Sequence, residues 1–267
     1  MDWLSRIDLS LLAIMFANTA VVTGDCLRRY GKARRQSRAF VRDAAPRLSQ
    51  GDWAEVISIA ERNSASPAAR TVVAGLSAFA GAAVQCNHRE AMEFAARAFE
   101  RSRSMLTAEL RLGLGTLASI GGSAPFIGLL GTVFGMFNAF LGVGMEKSTA
   151  LAWTALGVAH ALGTTAFGLF VAIPAVCWHN YFRECVEGFE TEMSNAKLET
   201  TTYLRQLRER RHLGNGLQIA GASWTSRPSD IAGEKNWEAP YDRQHGLLLA
   251  VWLALAFTAL LIAQGGG

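Results

Sequence analysis

Two stretches without a charged side chain, Leu112 to Met145 and Ser148 to Phe182, follow each other with only Glu146 and Lys147 between them. Each exceeds the roughly 20 residues needed to cross a hydrocarbon core. A buried helix of a soluble protein seldom runs so far without a charge, so the pair reads as two membrane spans joined by the short turn Met145-Glu146-Lys147. Lipid offers no partner to an unpaired backbone group, so the spans are expected to be helices. Shorter apolar stretches lie at both ends, Leu9 to Gly24 and Gly246 to Ala263. The first carries Asn18 and is flanked by Asp8 and Asp25. It reads as a span rather than a secretory signal, because MDWLSR before it has no net positive charge and no small-x-small cleavage site precedes a polar region. The last stretch reads as a fourth span, with an interfacial or partner-docking helix as its alternative. The expected fold is an all-α integral membrane protein.

Basic residues set the expected orientation. LRRYGKARRQSRAFVRDAAPR, after the first span, holds eight Lys or Arg against one acid, whereas only Arg6 precedes that span. The positive-inside rule places the N-terminus outside and the basic segment in the cytoplasm. RQLRERR at 205 to 211, after the third span, falls on the same side. The pI of about 9.1 is thus mostly topology and contact with anionic lipid. No recognition motif accompanies the charge, so no nucleic-acid partner is expected.

The segments are then 1–26, a first transmembrane helix; 27–111, a cytoplasmic helical region; 112–145 and 148–182, the second and third transmembrane helices; 183–213, a cytoplasmic helix; 214–245, a flexible linker; and 246–263, the fourth span. DWAEVISIAER and PAARTVVAGLSAFAGAAV are amphipathic, with Ser66-Pro67 marking a break between them. HREAMEFAARAFERSRSMLTAELR is a long amphipathic helix expected to lead straight into the second span. The charge-free run 112 to 145 would be about 50 Å long as a helix, more than the roughly 30 Å bilayer core. The middle helices are therefore expected to project into the cytoplasm. Cys26, Cys86, Cys177 and Cys185 fit no metal spacing and read as reduced thiols. There is no nucleophile elbow, phosphate loop or carboxylate pair, so no enzyme activity, cofactor or metal is expected.

Small residues recur at helical spacing in GGSAPFIGLLGTVFGMFNAFLG, at 121, 124, 128, 131, 135, 139 and 142, with Gly131 and Gly135 forming a GxxxG. Gly157, Ala161, Gly168 and Ala172 do the same in the third span. Such stripes let helices approach closely in lipid. Each also carries hydroxyls. Thr132 lies on the first. At 100° per residue, Thr165, Ala172, Ala161, Gly168, Gly157, Thr164 and His160 fan over about 140° of one face of the second. A small polar strip can simply pack, or can line a narrow wet path. An intramembrane ionisable group such as His160 is a functional candidate by default.

SAPFIGLLGTVFGMFNAF at 123 to 140 and GVAHALGTTAFGLFVAIPAV at 157 to 176 closely resemble the central helices of ExbB and TolQ, and more distantly MotA, of the MotA/TolQ/ExbB proton channel family. The resemblance is strong over about residues 110 to 200. It implies a homopentameric ring around the spans of an ExbD- or TolR-like dimer, each partner chain carrying one span with a membrane aspartate, with a TonB-like protein as a further expected partner. Protons flowing inward would drive relative motion of ring and dimer, in the bacterial inner membrane. It also implies that Thr132 and Thr165 line the proton pathway, with Thr164 and His160 beside them, and that Pro125 and Pro174 shape the helices. Gly128, Gly131, Gly135, Gly157 and Gly168 are read as packing residues.

Two departures bear on this. His160 stands where the ExbB and TolQ pattern has a glutamate. A neutral imidazole costs less in a low-dielectric site than a carboxylate, and can relay protons by tautomer exchange or hydrogen-bond Thr164. The fourth span is the other departure. The expected task is energising an outer-membrane process such as TonB-dependent transport. The alternatives are the same motor serving envelope maintenance, secretion or motility, or a non-conducting scaffold of the same fold.

Overall fold

The computed structural model describes residues 3–50, 52–143 and 150–213. The expected linker and fourth span lie outside the described residues. Six helices follow in order: α1 Trp3–Gln50, α2 Trp53–Arg62, α3 Pro67–Ala83, α4 His88–Leu110, α5 Leu114–Val143 and α6 Ala150–Leu213. No strand occurs among the described residues. Three of these helices contain segments long and apolar enough to cross a membrane: Ile7–Leu48, Leu114–Leu141 and Thr154–Gln206.

The first span and the basic segment after it are one uninterrupted helix of 48 residues. Its inward face follows helical spacings of three, four and seven residues: Asp8, Leu12, Thr19, Thr23, Cys26 and Tyr30 are all buried. This spacing keeps one edge of a helix against its neighbours along its whole length. Near the N-terminal end Leu12 packs with Ile120, Ala124, Val171, Ala172 and Ala175. Near the other end Phe40, Ala44 and Leu48 join a core with α2, α3 and Leu204 of α6.

Local chemistry explains the boundaries in this second core. Asp52 caps α2 by accepting from the Glu55 amide at 3.3 Å. Ser66 caps α3 by accepting from the Ala69 amide at 3.2 Å, and Pro67 opens that helix. The break at Ser66-Pro67 is thus where the sequence marks it. The same turn is tied to α1: Gln36 Oε1 accepts from the Ala65 amide at 2.6 Å, and the Ser37 and Ser66 hydroxyls lie 2.9 Å apart.

The helix α4 does not lead straight into the second span. It ends at Leu110, and α5 begins at Leu114. Gly113 between them has φ +92°, a left-handed backbone that a residue without Cβ adopts freely. Helical periodicity continues on both sides of the break, so the hydrophobic pattern alone does not reveal it. Tyr30 of α1 spans the break by donating its hydroxyl to the Leu110 carbonyl at 2.5 Å.

Candidate functional site: the seam between α5 and α6

The glycine stripes of α5 and α6 meet as one antiparallel seam. A Cβ on Gly121 would fall 2.6 Å from Val176 Cγ2, one on Gly135 2.7 Å from Ala161 Cβ, and one on Gly157 2.5 Å from Ala139 Cβ. At the middle a Cβ on Gly128 would lie 3.1 Å from the Gly168 Cα. Residue numbers rise on one helix as they fall on the other, as an antiparallel pair requires. Gly128, Gly131, Gly135, Gly157 and Gly168 therefore all stand at close approaches between these two helices. The backbones come near because nothing larger than hydrogen intervenes.

The hydroxyls divide between two environments. Thr165 donates across the seam to the Gly128 carbonyl at 2.9 Å. Thr164 is buried and donates within its own helix to the Ala161 carbonyl at 2.7 Å. Thr132 is half-buried and donates to the Leu129 carbonyl at 2.7 Å. His160 is exposed on the chain. Thus the face read from the sequence is split. The seam is centred on Gly157, Ala161, Thr164, Gly168 and Ala172, and His160, one residue before Ala161, is turned about 100° away from it. Thr132 and His160 lie on surfaces that the seam leaves free. Large apolar residues of the two helices are also exposed, among them Phe126, Leu129, Phe137, Leu156 and Leu162.

Both prolines lie inside continuous helices, Pro125 in α5 and Pro174 in α6. Each removes one backbone donor and frees the carbonyl four residues earlier, at Gly121 and at Phe170. Pro174 is buried, whereas Pro125 is half-buried.

An aromatic cluster closes the far end of the seam. Trp178 stacks on Phe182 at 5.4 Å, and Tyr30 meets Phe182 edge-on at 5.4 Å. Trp178 and Tyr181 are buried, not spread along a lipid interface. His179 Nδ1 lies 3.0 Å from the Leu114 carbonyl. A carbonyl only accepts, so this nitrogen carries the proton.

One residue at the seam escapes a sequence reading. Asp8 of α1 is 7% exposed, and its Oδ2 has no hydrogen-bond partner among the described residues. The position a Cβ would take on Gly131 is 3.4 Å from that oxygen and 2.7 Å from Thr164 Oγ1. The signal was present as the register of α1, where Asp8 lies one turn before the buried Leu12.

The comparisons with known proteins agree with this architecture. The model of the MotA/TolQ/ExbB proton channel family matches residues 63–195. A biopolymer transport protein ExbB of Pseudomonas putida is 46% identical over 87 residues, 33% of this chain and 26% of the relative. A Tol-Pal system protein TolQ of Pseudomonas aeruginosa is 44% identical over 91 residues, 34% of this chain and 39% of the relative. These matches thus span well under half of those relatives. An ExbB of Neisseria meningitidis serogroup A is 33% identical over 184 residues, 64% of this chain and 78% of the relative. With its three long apolar helices the chain is a multi-pass membrane protein, and it belongs to the MotA/TolQ/ExbB proton channel family.

Proposed function

We propose that this chain is the ring-forming proton-channel subunit of an ExbB/TolQ-like motor in the bacterial inner membrane. Five copies surround the spans of an ExbD/TolR-like dimer, whose membrane aspartate takes and releases the protons that drive the motor. The proton motive force then energises an outer-membrane process such as TonB-dependent transport. The observation that carries this reading is the α5–α6 seam. A family match covers α5 and α6 as far as residue 195, and Thr165 donates to the Gly128 carbonyl across their contact. Thr132 and His160, outside the seam, lie where neighbouring copies or the partner would pack. The basic side of the bundle is the cytoplasmic side in this reading.

Envelope maintenance is the second task to weigh, because the TolQ of Pseudomonas aeruginosa resembles this chain at nearly the same identity as the ExbB of Pseudomonas putida. A pull-down of the tagged full-length chain from native membranes, with mass spectrometry and intact-complex mass, tests the reading. Five copies with a co-purifying single-span protein that carries an aspartate in its span are expected. A ring with no such partner would favour the scaffold.

A further inference from the structure

Three helices converge around Gly131. The α5 backbone supplies the glycine, α6 supplies Thr164, and α1 supplies Asp8. The carboxylate and the hydroxyl both face the space that a Cβ on Gly131 would fill. The depths of Asp8 and Thr164 also agree. Along their own helices, Asp8 lies 20 residues from Arg28 and Thr164 19 residues from Arg183. At 1.5 Å per residue each separation is about 30 Å, one hydrocarbon thickness. The junction thus lies well away from those basic residues, about one turn outward of the Gly128–Gly168 midpoint in the orientation proposed above.

The hydrogen bonding around Asp8 is one-sided. Thr164 has its one hydroxyl proton committed to the Ala161 carbonyl. What remains to it is lone pairs, which only accept. A carboxylate turned toward such an oxygen meets acceptor with acceptor, whereas a carboxylic acid brings an O–H that can donate to it. Among the described residues no hydrogen bond reaches Asp8 Oδ2, and the basic residue nearest to it along α1 is Arg6, two positions earlier in the sequence. From Leu114 to Val143 α5 has no titratable side chain. In the apolar part of α6, His160 is exposed, while Cys177, His179 and Tyr181 lie at the opposite end. On α1 the pair of Asp25 and Arg29 is more than four turns away. No group of three metal-ligating side chains occurs among the described residues.

We propose that Asp8 is a proton-binding site of this chain, loaded from the outer side and facing the α5–α6 seam at Thr164. Its role in conduction rests on the proton-channel reading, but its protonation does not. The step is a simple exchange: a proton from the outer water binds Asp8 Oδ2, and the acid later releases the same proton toward the seam. The α1 helix, otherwise a packing element, would thereby contribute chemistry to the path.

The test uses the full-length chain in its native complex, reconstituted in liposomes. Infrared difference spectra are recorded across a pH titration for the wild type, Asp8→Asn and Asp8→Glu. The wild type should show the carbonyl stretch of a protonated carboxyl. Asp8→Asn should lose that band, and Asp8→Glu should restore it at a shifted position. Inward proton flux should be lost in Asp8→Asn and recovered in Asp8→Glu. Wild-type and Asp8→Asn spectra that coincide at every pH would overturn the proposal. So would wild-type flux through Asp8→Asn in a complex that Thr165→Val inactivates, a result that leaves the channel reading standing. A wild-type complex without flux would sink the channel reading instead, and the infrared band alone would then judge Asp8 as a proton-binding site. Gel-filtration and intact-mass profiles matching the wild type identify assembled variants, and Asp8→Glu carries the comparison if Asp8→Asn does not assemble.

Discussion

Gly128 and Gly168 face each other at the centre of the α5–α6 seam with no side chain between them. A Cβ on Gly168 would lie 2.8 Å from the Ala124 carbonyl oxygen and 2.9 Å from the Gly128 Cα. Both obstacles are backbone atoms, so relief requires the helices to part. Gly168→Ala should therefore destabilise the complex by about 1–3 kcal/mol, the usual cost of overpacking. Gly122→Ala, where nothing lies within 4 Å, should be neutral or slightly stabilising. Thermal unfolding of the detergent-solubilised complex separates the two, with a lower Tm expected for Gly168→Ala alone.

The turn at Gly113 fixes how the cytoplasmic helices join the second span. Its φ of +92° suits glycine, and a Cβ there would also approach Val22 Cγ1 to 3.1 Å. Gly113→Ala should cost about 1–3 kcal/mol, as strained backbone does. Chemical denaturation should show the loss. An unchanged midpoint would mean that the break between α4 and α5 is soft enough to rearrange.

His160 lies off the seam and exposed on the chain. In a ring its face is covered by another copy or by the partner span. His160→Ala should shift the pH dependence of proton flux through the reconstituted complex without disturbing assembly. Superimposable profiles would remove the imidazole from the pathway.

Outside the membrane, Lys197 of α6 pairs with Glu100 of α4. The hydrogen bond from Lys197 holds the Glu100 carboxyl below its ordinary value. A depressed carboxylate stabilises the fold above the unfolded value, and that contribution is lost as pH falls through the folded value. The pair is half-exposed on the Glu100 side, so its worth is small, under about 1 kcal/mol. Lys197→Ala should lower stability slightly at pH 7, and the difference from the wild type should shrink as pH falls below the ordinary carboxylate range, measured by denaturant unfolding across that range.

Much of this architecture was legible from the sequence because lipid and helix geometry leave few choices. Charge-free runs fixed two spans, and small residues at 121, 124, 128, 131, 135 and 139 marked a face that does meet α6. The Ser66-Pro67 break followed from capping chemistry. The turn at Gly113 did not stand out, because a single glycine inside a helical pattern is usually tolerated. The buried aromatic end does not stand out either: Trp178 and Tyr181 have the residue types of an interface belt, and only the meeting of Tyr30 with Phe182 shows that end as core. Asp8 was read as a flank of the first span, because its burial depends on which edge of α1 faces the seam, a tertiary fact. The exposure of His160 was hidden likewise, since a fan of about 140° is wider than the strip one neighbour can cover.

The central claim is that the hydroxyl at the α5–α6 seam belongs to a proton path. Inward proton flux under an imposed gradient, through the purified complex in liposomes, tests it with Thr165→Val and Thr165→Ser. The account predicts that Thr165→Val loses the flux, while Thr165→Ser, which keeps the hydroxyl opposite Gly128, retains it. Flux through Thr165→Val equal to the wild type would contradict it.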